Sequence, residues 1–283
     1  MKHQKPVAAL VVALALALPA ARAEEEITKA AKKIFAEHQD AVVWVSAVSK
    51  LSIKTSGGTS ARGSIPDQEK KVETAGTVID ASGLVVTSLS TIDPSSAVDG
   101  QEFPTAGGTV RVSASALIKD VKIIMPDGTE IPADEVMKDS DLDLVFIKAR
   151  MDSPEAKGVK FKAINLKNNA EGHVLDEVAA LGRTGEYFGR QASVIPTVVT
   201  SEMKKPRHYL RVPTETIGGP VFNVYGKILG ITVLRHVRSE NASGQMNLQP
   251  VVLPAADILP VADAALKAKP IVTPPDADAP AKK

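Results

Sequence analysis

Cysteine is absent from all 283 residues. That excludes disulfide staples and thiolate chemistry, so the core alone must hold the fold. Aromatic residues are scarce at 4%, with a single tryptophan, Trp44. Histidine is thin too: the five are His3, His38, His173, His208 and His236, and no two stand at the i, i+4 spacing of a helical zinc pair. No apolar run reaches the ~20 residues a membrane-spanning helix needs. No internal repeat at solenoid or propeller period is present.

The longest apolar run, residues 7–18, sits behind Lys2 and Lys5 and is followed by Pro19 and Ala21-Arg22-Ala23. This is the pattern of a cleaved secretory signal, so residues 1–23 are read as a signal peptide of bacterial type. The chain is then exported, periplasmic or extracellular, with no membrane span after cleavage. Without a cysteine, lipid anchoring at that site is excluded. Removing residues 1–23 takes away Lys2, Lys5 and Arg22 and no acidic group, turning a net charge of +1 into −2. That balance excludes a basic face for nucleic acid.

What the chain does have is 44% hydrophobic residues, enough for a substantial core. Residues 24–38 place Ile27, Ala30, Ala31, Ile34 and Phe35 on one helical face, behind three glutamates that suit a helix N-terminus. After that the period changes. Short β-branched runs recur at 41–53, 76–80, 84–88, 121–125, 129–137 and 142–149. They recur again at 177–182, 191–200, 208–213, 219–224, 227–235 and 246–254. Turn residues such as Ala81-Ser82-Gly83 and Tyr225-Gly226 separate them. Many short strands with little helix between them predict an all-β sandwich or barrel. Residues 54–73 and 93–109, rich in Ser, Gly, Lys, Asp and Pro, read as long surface loops. Residues 267–283 read as a Pro/Ala-rich flexible tail.

Five stretches, in order, resemble HtrA-type (Deg-like) trypsin-fold serine proteases. Residues 72–93, VETAGTVIDASGLVVTSLSTID, resemble the segment carrying the active histidine; 138–149, KDSDLDLVFIKA, the aspartate segment; and 218–232, GGPVFNVYGKILGIT, the segment after the serine. Residues 178–201 match the Gly-rich loop and following strand, and 250–259 the closing strand and helix. The resemblance covers roughly residues 27–266 and leaves no room for a PDZ domain. It implies a trypsin-like double antiparallel β-barrel with a short N-terminal helix and a C-terminal helix. The N-terminal helix and first barrel fall in 24–150, the second barrel and closing helix in 151–266.

The family mechanism needs a serine nucleophile, a histidine base and an aspartate that orients the histidine. Asp143 matches the aspartate. Ser90 occupies the histidine position, and the neighbours Leu89, Thr91 and Ile92 are no better as bases. Ile217 occupies the serine position. The glycine that lets the oxyanion loop turn is replaced by Glu215, so the oxyanion hole and cleft, Glu215, Thr216, Ile217, Gly218 and Gly219, are degenerate. The triad is therefore not intact. Asp143 serves equally as an interior hydrogen-bond acceptor, and Ile217 as cleft-wall packing.

The resemblance then implies a pseudoprotease that binds an extended peptide or protein partner in the inter-barrel cleft, with an active protease relative or a homo-oligomer as further partners. The alternatives are a hydrolase with a rearranged site using Thr216 or Thr214, and a structural envelope protein with a filled cleft. Neither metal nor cofactor is expected. Asp139, Asp141 and Asp143 alternate as in a calcium loop, but Leu144 and Arg150 stand where that loop needs Gly and Glu. Asn241-Ala242-Ser243 is a sequon without use behind a bacterial-type signal.

Overall fold

The computed structural model describes residues 26–57, 63–238 and 246–271. The segment read above as a signal peptide, residues 272–283 of the expected tail and the Asn241 sequon lie outside the described residues. The first element, helix α1 at 26–38, buries Ala31 and Ile34 and hands over through a 3-10 turn at Gln39–Ala41 to the first strand.

Seven strands follow in the first half: β1 (Val42–Ser56), β2 (Gly63–Asp80), β3 (Leu84–Ser88), β4 (Glu102–Thr105), β5 (Gly108–Ile124), β6 (Glu130–Asp139) and β7 (Leu144–Ala149). A short helix α2 (Leu89–Ile92) interrupts them after β3. All pairings are antiparallel, in the order β1-β2-β3-β7-β6-β5. A further β1–β5 pairing closes these six into a barrel, with β4 attached to the outside of β5. Closure removes the exposed edges an open sheet of this size presents.

The apolar runs are continuous, without strict alternation, because both faces of these strands are buried. Val43 and Val45 of β1, Val85 of β3, and Val145 and Ile147 of β7 fill the barrel interior. Their neighbours Val42, Leu84, Val86, Leu144 and Phe146 point outward, into a second core.

That second core lies between the two halves. The second half carries β8 (Glu177–Arg183), β9 (Ala192–Val198), β10 (Ser201–Met203), β11 (Tyr209–Arg211), β12 (Pro220–Asn223), β13 (Ile228–Arg238) and β14 (Met246–Pro254). They form one antiparallel sheet in the order β10-β11-β14-β13-β12-β8-β9. Its end strands, β9 and β10, are consecutive in the chain, so the sheet curls into a half-barrel and not a second closed one. Leu181, Phe222, Ile231 and Leu253 face the first half, and Val178, Val221, Leu229 and Val252 face the half-barrel interior. Helix α3 (Ala255–Ala265) lays Ile258 and Ala262 on the shared core.

One expectation is overturned, and a second in small part. The described residues of 54–73 are largely strand, whereas in 93–109 only Glu102–Thr105 and the start of β5 are strand and the rest is 3-10 helix and turn. β1 and β2 remain paired from Val42↔Thr77 out to Thr55↔Gly63, and β5 flanks β1 from Trp44↔Ile124 to Ser56↔Arg111. Glu102–Thr105 turns back on Gly108–Arg111. The polar composition that reads as loop is that of a sheet wetted on its faces, with cross-strand pairs Lys119–Glu69 at 2.6 Å and Lys50–Asp67 at 3.5 Å.

Arg183 ties the halves together from the end of β8. Its buried guanidinium donates to the carbonyls of Val42 and Gln39 (the latter at 3.1 Å) and to that of Arg190 at 2.9 Å. Desolvation lowers its pKa from the ordinary arginine value. Arg183→Met is expected to cost about 2–4 kcal/mol, because three carbonyls lose a charged donor. Urea unfolding checks this; a loss below about 0.5 kcal/mol, the scale of an ordinary surface change, refutes the clamp.

Candidate functional site

Three segments meet between the halves: the β3–α2 junction, the β6–β7 turn and β13. At the first, Ser88 ends β3 and Thr91 Oγ1 donates back to its carbonyl at 2.6 Å, starting the α2 turn. At the second, Asp139 accepts from the Leu142 N–H at 3.0 Å, and Asp143 takes a left-handed conformation, φ 56°. The turn is locked onto the first segment, since the Leu89 N–H donates to the Asp143 carbonyl at 2.9 Å.

The Asp143 side chain is 8% exposed and hydrogen-bonded on both oxygens. Oδ1 accepts from the Ser90 N–H at 2.8 Å and the Ser90 hydroxyl at 2.6 Å. Oδ2 accepts from the Leu234 N–H at 2.9 Å and from the Ser88 hydroxyl. Burial pushes this carboxyl above the ordinary aspartate value; the serine and main-chain donors pull it back only in part. Ser90 and Asp143, paired on sequence grounds, are therefore in direct contact. Sequence reasoning does not single out Ser88 or Leu234. Ser88 is visible as the first serine of Ser88-Leu89-Ser90, but Leu234 acts through its main chain and leaves no side-chain signal.

The 214–219 segment docks on the first barrel. Gly218 donates its N–H to the Thr232 carbonyl at 2.7 Å and accepts from the Thr77 hydroxyl at 2.7 Å. Its φ is +83°, and a Cβ there meets the Ala75 carbonyl oxygen at 2.0 Å. A Cβ on Gly219 meets the Leu181 carbonyl oxygen at 2.3 Å. Both glycines are therefore required by close approach of backbone to backbone. Ile217 is half-buried and Glu215 exposed. Thr216 is lodged on Gly182, where an added Cβ falls 2.0 Å from its hydroxyl oxygen. The Thr214 hydroxyl accepts from the Thr216 N–H at 3.3 Å.

None of the three histidines whose side chains are described lies at this segment. His38 stacks on Phe222 with ring centroids 4.7 Å apart, and burial lowers its pKa. His208 Nε2 is 3.1 Å, and His173 Nδ1 3.8 Å, from the Glu202 carboxylate on β10. Among the described residues no group of three or more His, Asp or Glu is placed to hold a metal ion.

One strand edge at the site is, among the described residues, open beyond Leu234. Leu234 pairs across from Pro250, which has no N–H, and its own N–H turns the other way, to Asp143. Main-chain groups alternate along a strand, so those of His236 point to the same side as those of Leu234. On that side the pairing of β13 with β12 ends at Ile231, and among the described residues no strand covers the edge beyond it.

A closed six-stranded barrel and a half-barrel packed through a shared core, with Asp143 and the 214–219 loop at their junction, define a trypsin-like fold. The chain belongs to the trypsin-like peptidase domain family, whose model matches residues 74–231. The HtrA-type resemblance in the sequence falls within this family. Among solved structures, the chain is similar to the MamO protease domain from Magnetospirillum magneticum, apo form. The identity is 18%, over 80% of this chain and 98% of that one, with a TM-score of 0.45. Comparison with curated proteins finds no match.

Proposed function

We propose that the chain is an exported, proteolytically inactive trypsin-like protein that binds an extended peptide or protein segment in the cleft between its halves. The observation that carries this reading is the Asp143 carboxylate. Its four bonds come from Ser88, Ser90 and the Leu234 N–H, so two serines occupy the place where an imidazole is needed. Ile217, ahead of Gly218-Gly219, offers no nucleophile. The open edge of β13 supports the binding half: strand addition uses main-chain groups and needs no triad. Residues 1–23 support a periplasmic or extracellular location. An active protease relative or a second copy of the chain remains within this reading as a partner.

The rearranged hydrolase finds less support. A threonine hydroxyl needs a neighbouring base, and Thr216 packs on Gly182 while Thr214 accepts a main-chain bond.

The test is hydrolysis of casein by the purified chain beside an Ile217→Ser, Ser90→His, Glu215→Gly triple variant. The natural chain is expected to bind unfolded casein by fluorescence anisotropy without cleaving it, and the triple variant to gain turnover. His236→Pro, which removes an edge N–H, is expected to weaken binding about tenfold, the worth of one or two unreplaced hydrogen bonds. Turnover by the natural chain that disappears in Thr216→Ala overturns the reading.

A further inference from the structure

Between Leu234 and His236 on the open edge stands Arg235. Its guanidinium carbon lies 5.1 Å from the Tyr209 ring centroid, and Nη1 donates to the Tyr209 hydroxyl at 3.1 Å. Tyr209 is 2% exposed and part of the shared core, so its ring is a fixed platform. The cation is held in place, with part of its donor fork unused among the described residues. Among the described residues it forms no ion pair with a carboxylate.

Arg235 divides two hollows. The larger, about 430 Å³, is also lined by Ser201, Met203, Arg211, Gln249 and Val251. It holds a second arginine and no Asp or Glu. Glu202, between Ser201 and Met203 on β10, is engaged instead with His208 and Lys204. The smaller, about 250 Å³, is bounded by Ser140–Asp143 and Val233–Arg235. Of its two aspartates, Asp143 is saturated by its four donors and Asp141 is exposed at the rim.

Resting on the strand-docking reading above, we propose that Arg235 selects an acidic side chain, aspartate or glutamate, in the bound segment. In an antiparallel pairing the residue across from Arg235 lies between the one that bonds to His236 and the one beside Leu234, whose N–H is already held by Asp143. Its side chain emerges on the same sheet face as Arg235. A carboxylate there takes the free N–H groups of the guanidinium in a charge-assisted, two-point contact on an apolar floor.

The experiment is fluorescence anisotropy with a fluorescein-labelled Val/Thr heptapeptide. It carries one glutamate whose position is moved along the chain, and it is matched by glutamine and lysine versions. For one position the natural chain is expected to prefer the glutamate peptide to its glutamine twin by about tenfold. The preference shrinks with added salt. Arg235→Gln removes the preference, and Arg235→Lys, which keeps the charge but not the fork, keeps part of it; circular dichroism confirms that each variant is folded. Equal binding of glutamate and glutamine peptides overturns the inference and leaves strand docking standing. Preference for lysine overturns it in favour of Asp141 as the selecting group. Binding of none of the peptides overturns both.

Discussion

Gly218→Ala is expected to destabilise the protein by about 2–6 kcal/mol. Two costs combine. At φ +83° any side chain is strained, which costs roughly 1–3 kcal/mol. The new methyl also lands 2.0 Å from the Ala75 carbonyl oxygen and 2.5 Å from Thr87 Oγ1. Neither neighbour is a flexible chain end: Ala75 is in β2, and the Thr87 hydroxyl is tied to the Ala75 carbonyl at 2.7 Å. Relief requires the 214–219 loop to lift off the first barrel, breaking the Thr77–Gly218 bond and adding roughly another 1–3 kcal/mol. For a protein of this size the melting temperature then falls by roughly 10 °C. Gly226 is the matched control, with φ +76° and nothing within 4 Å of an added Cβ. Gly226→Ala bears only the conformational cost. Equal melting temperatures for the two variants refute the tight seating of Gly218.

Asp143→Ala has the other large effect. The carboxylate joins Ser88 and Ser90 of the first barrel to the main chain of β13 in the second half, 91 residues away in sequence. Its removal leaves the part-buried Ser90 N–H without its acceptor and the Leu234 N–H with only the longer bond to Ser88 Oγ at 3.3 Å, at about 1–3 kcal/mol for the first and less for the second. The total loss is about 2–4 kcal/mol, read by urea unfolding. The pH dependence follows from the raised pKa. Burial keeps the folded-state value above the ordinary 3.8. The folded chain therefore keeps a proton in a range where the unfolded chain releases it. Any stability from this group is fully present below the unfolded value and is lost as pH rises through the folded one. Relative to Asp143→Asn, the natural chain should lose stability as pH rises through and above the ordinary aspartate value of 3.8. A difference that moves the other way means that the four hydrogen bonds outweigh burial.

The long arms show why part of the fold was illegible in the sequence. Gln68, Glu69, Lys70 and Lys71 carry no β pattern by themselves. They are strand because β1 runs beside them and β5 closes the other side of β1. A two-faced solvated sheet has no apolar period to read. Conversely, the run Leu84-Val85-Val86 is legible as a strand but not as a wall between two cores. Burial on both faces erases the alternation that tells inside from outside, and all three residues are fully buried.

The candidate site divides along the same line. The amino-acid sequence by itself determined which functional groups exist: an aspartate at 143, a serine at 90, an isoleucine at 217, glycines at 218 and 219, and no cysteine anywhere. It also determined the all-β class, through the recurrence of short β-branched runs. Only the tertiary structure decided what those groups touch. It brought the Leu234 N–H to Asp143, seated Thr216 on Gly182 and Gly218 on Ala75, and left one edge of β13 beside Arg235 without a partner strand among the described residues. Residue type is a local property of the chain. A main-chain donor, a close approach or a free edge is set by segments brought together from far apart, and no side chain in the sequence announces it.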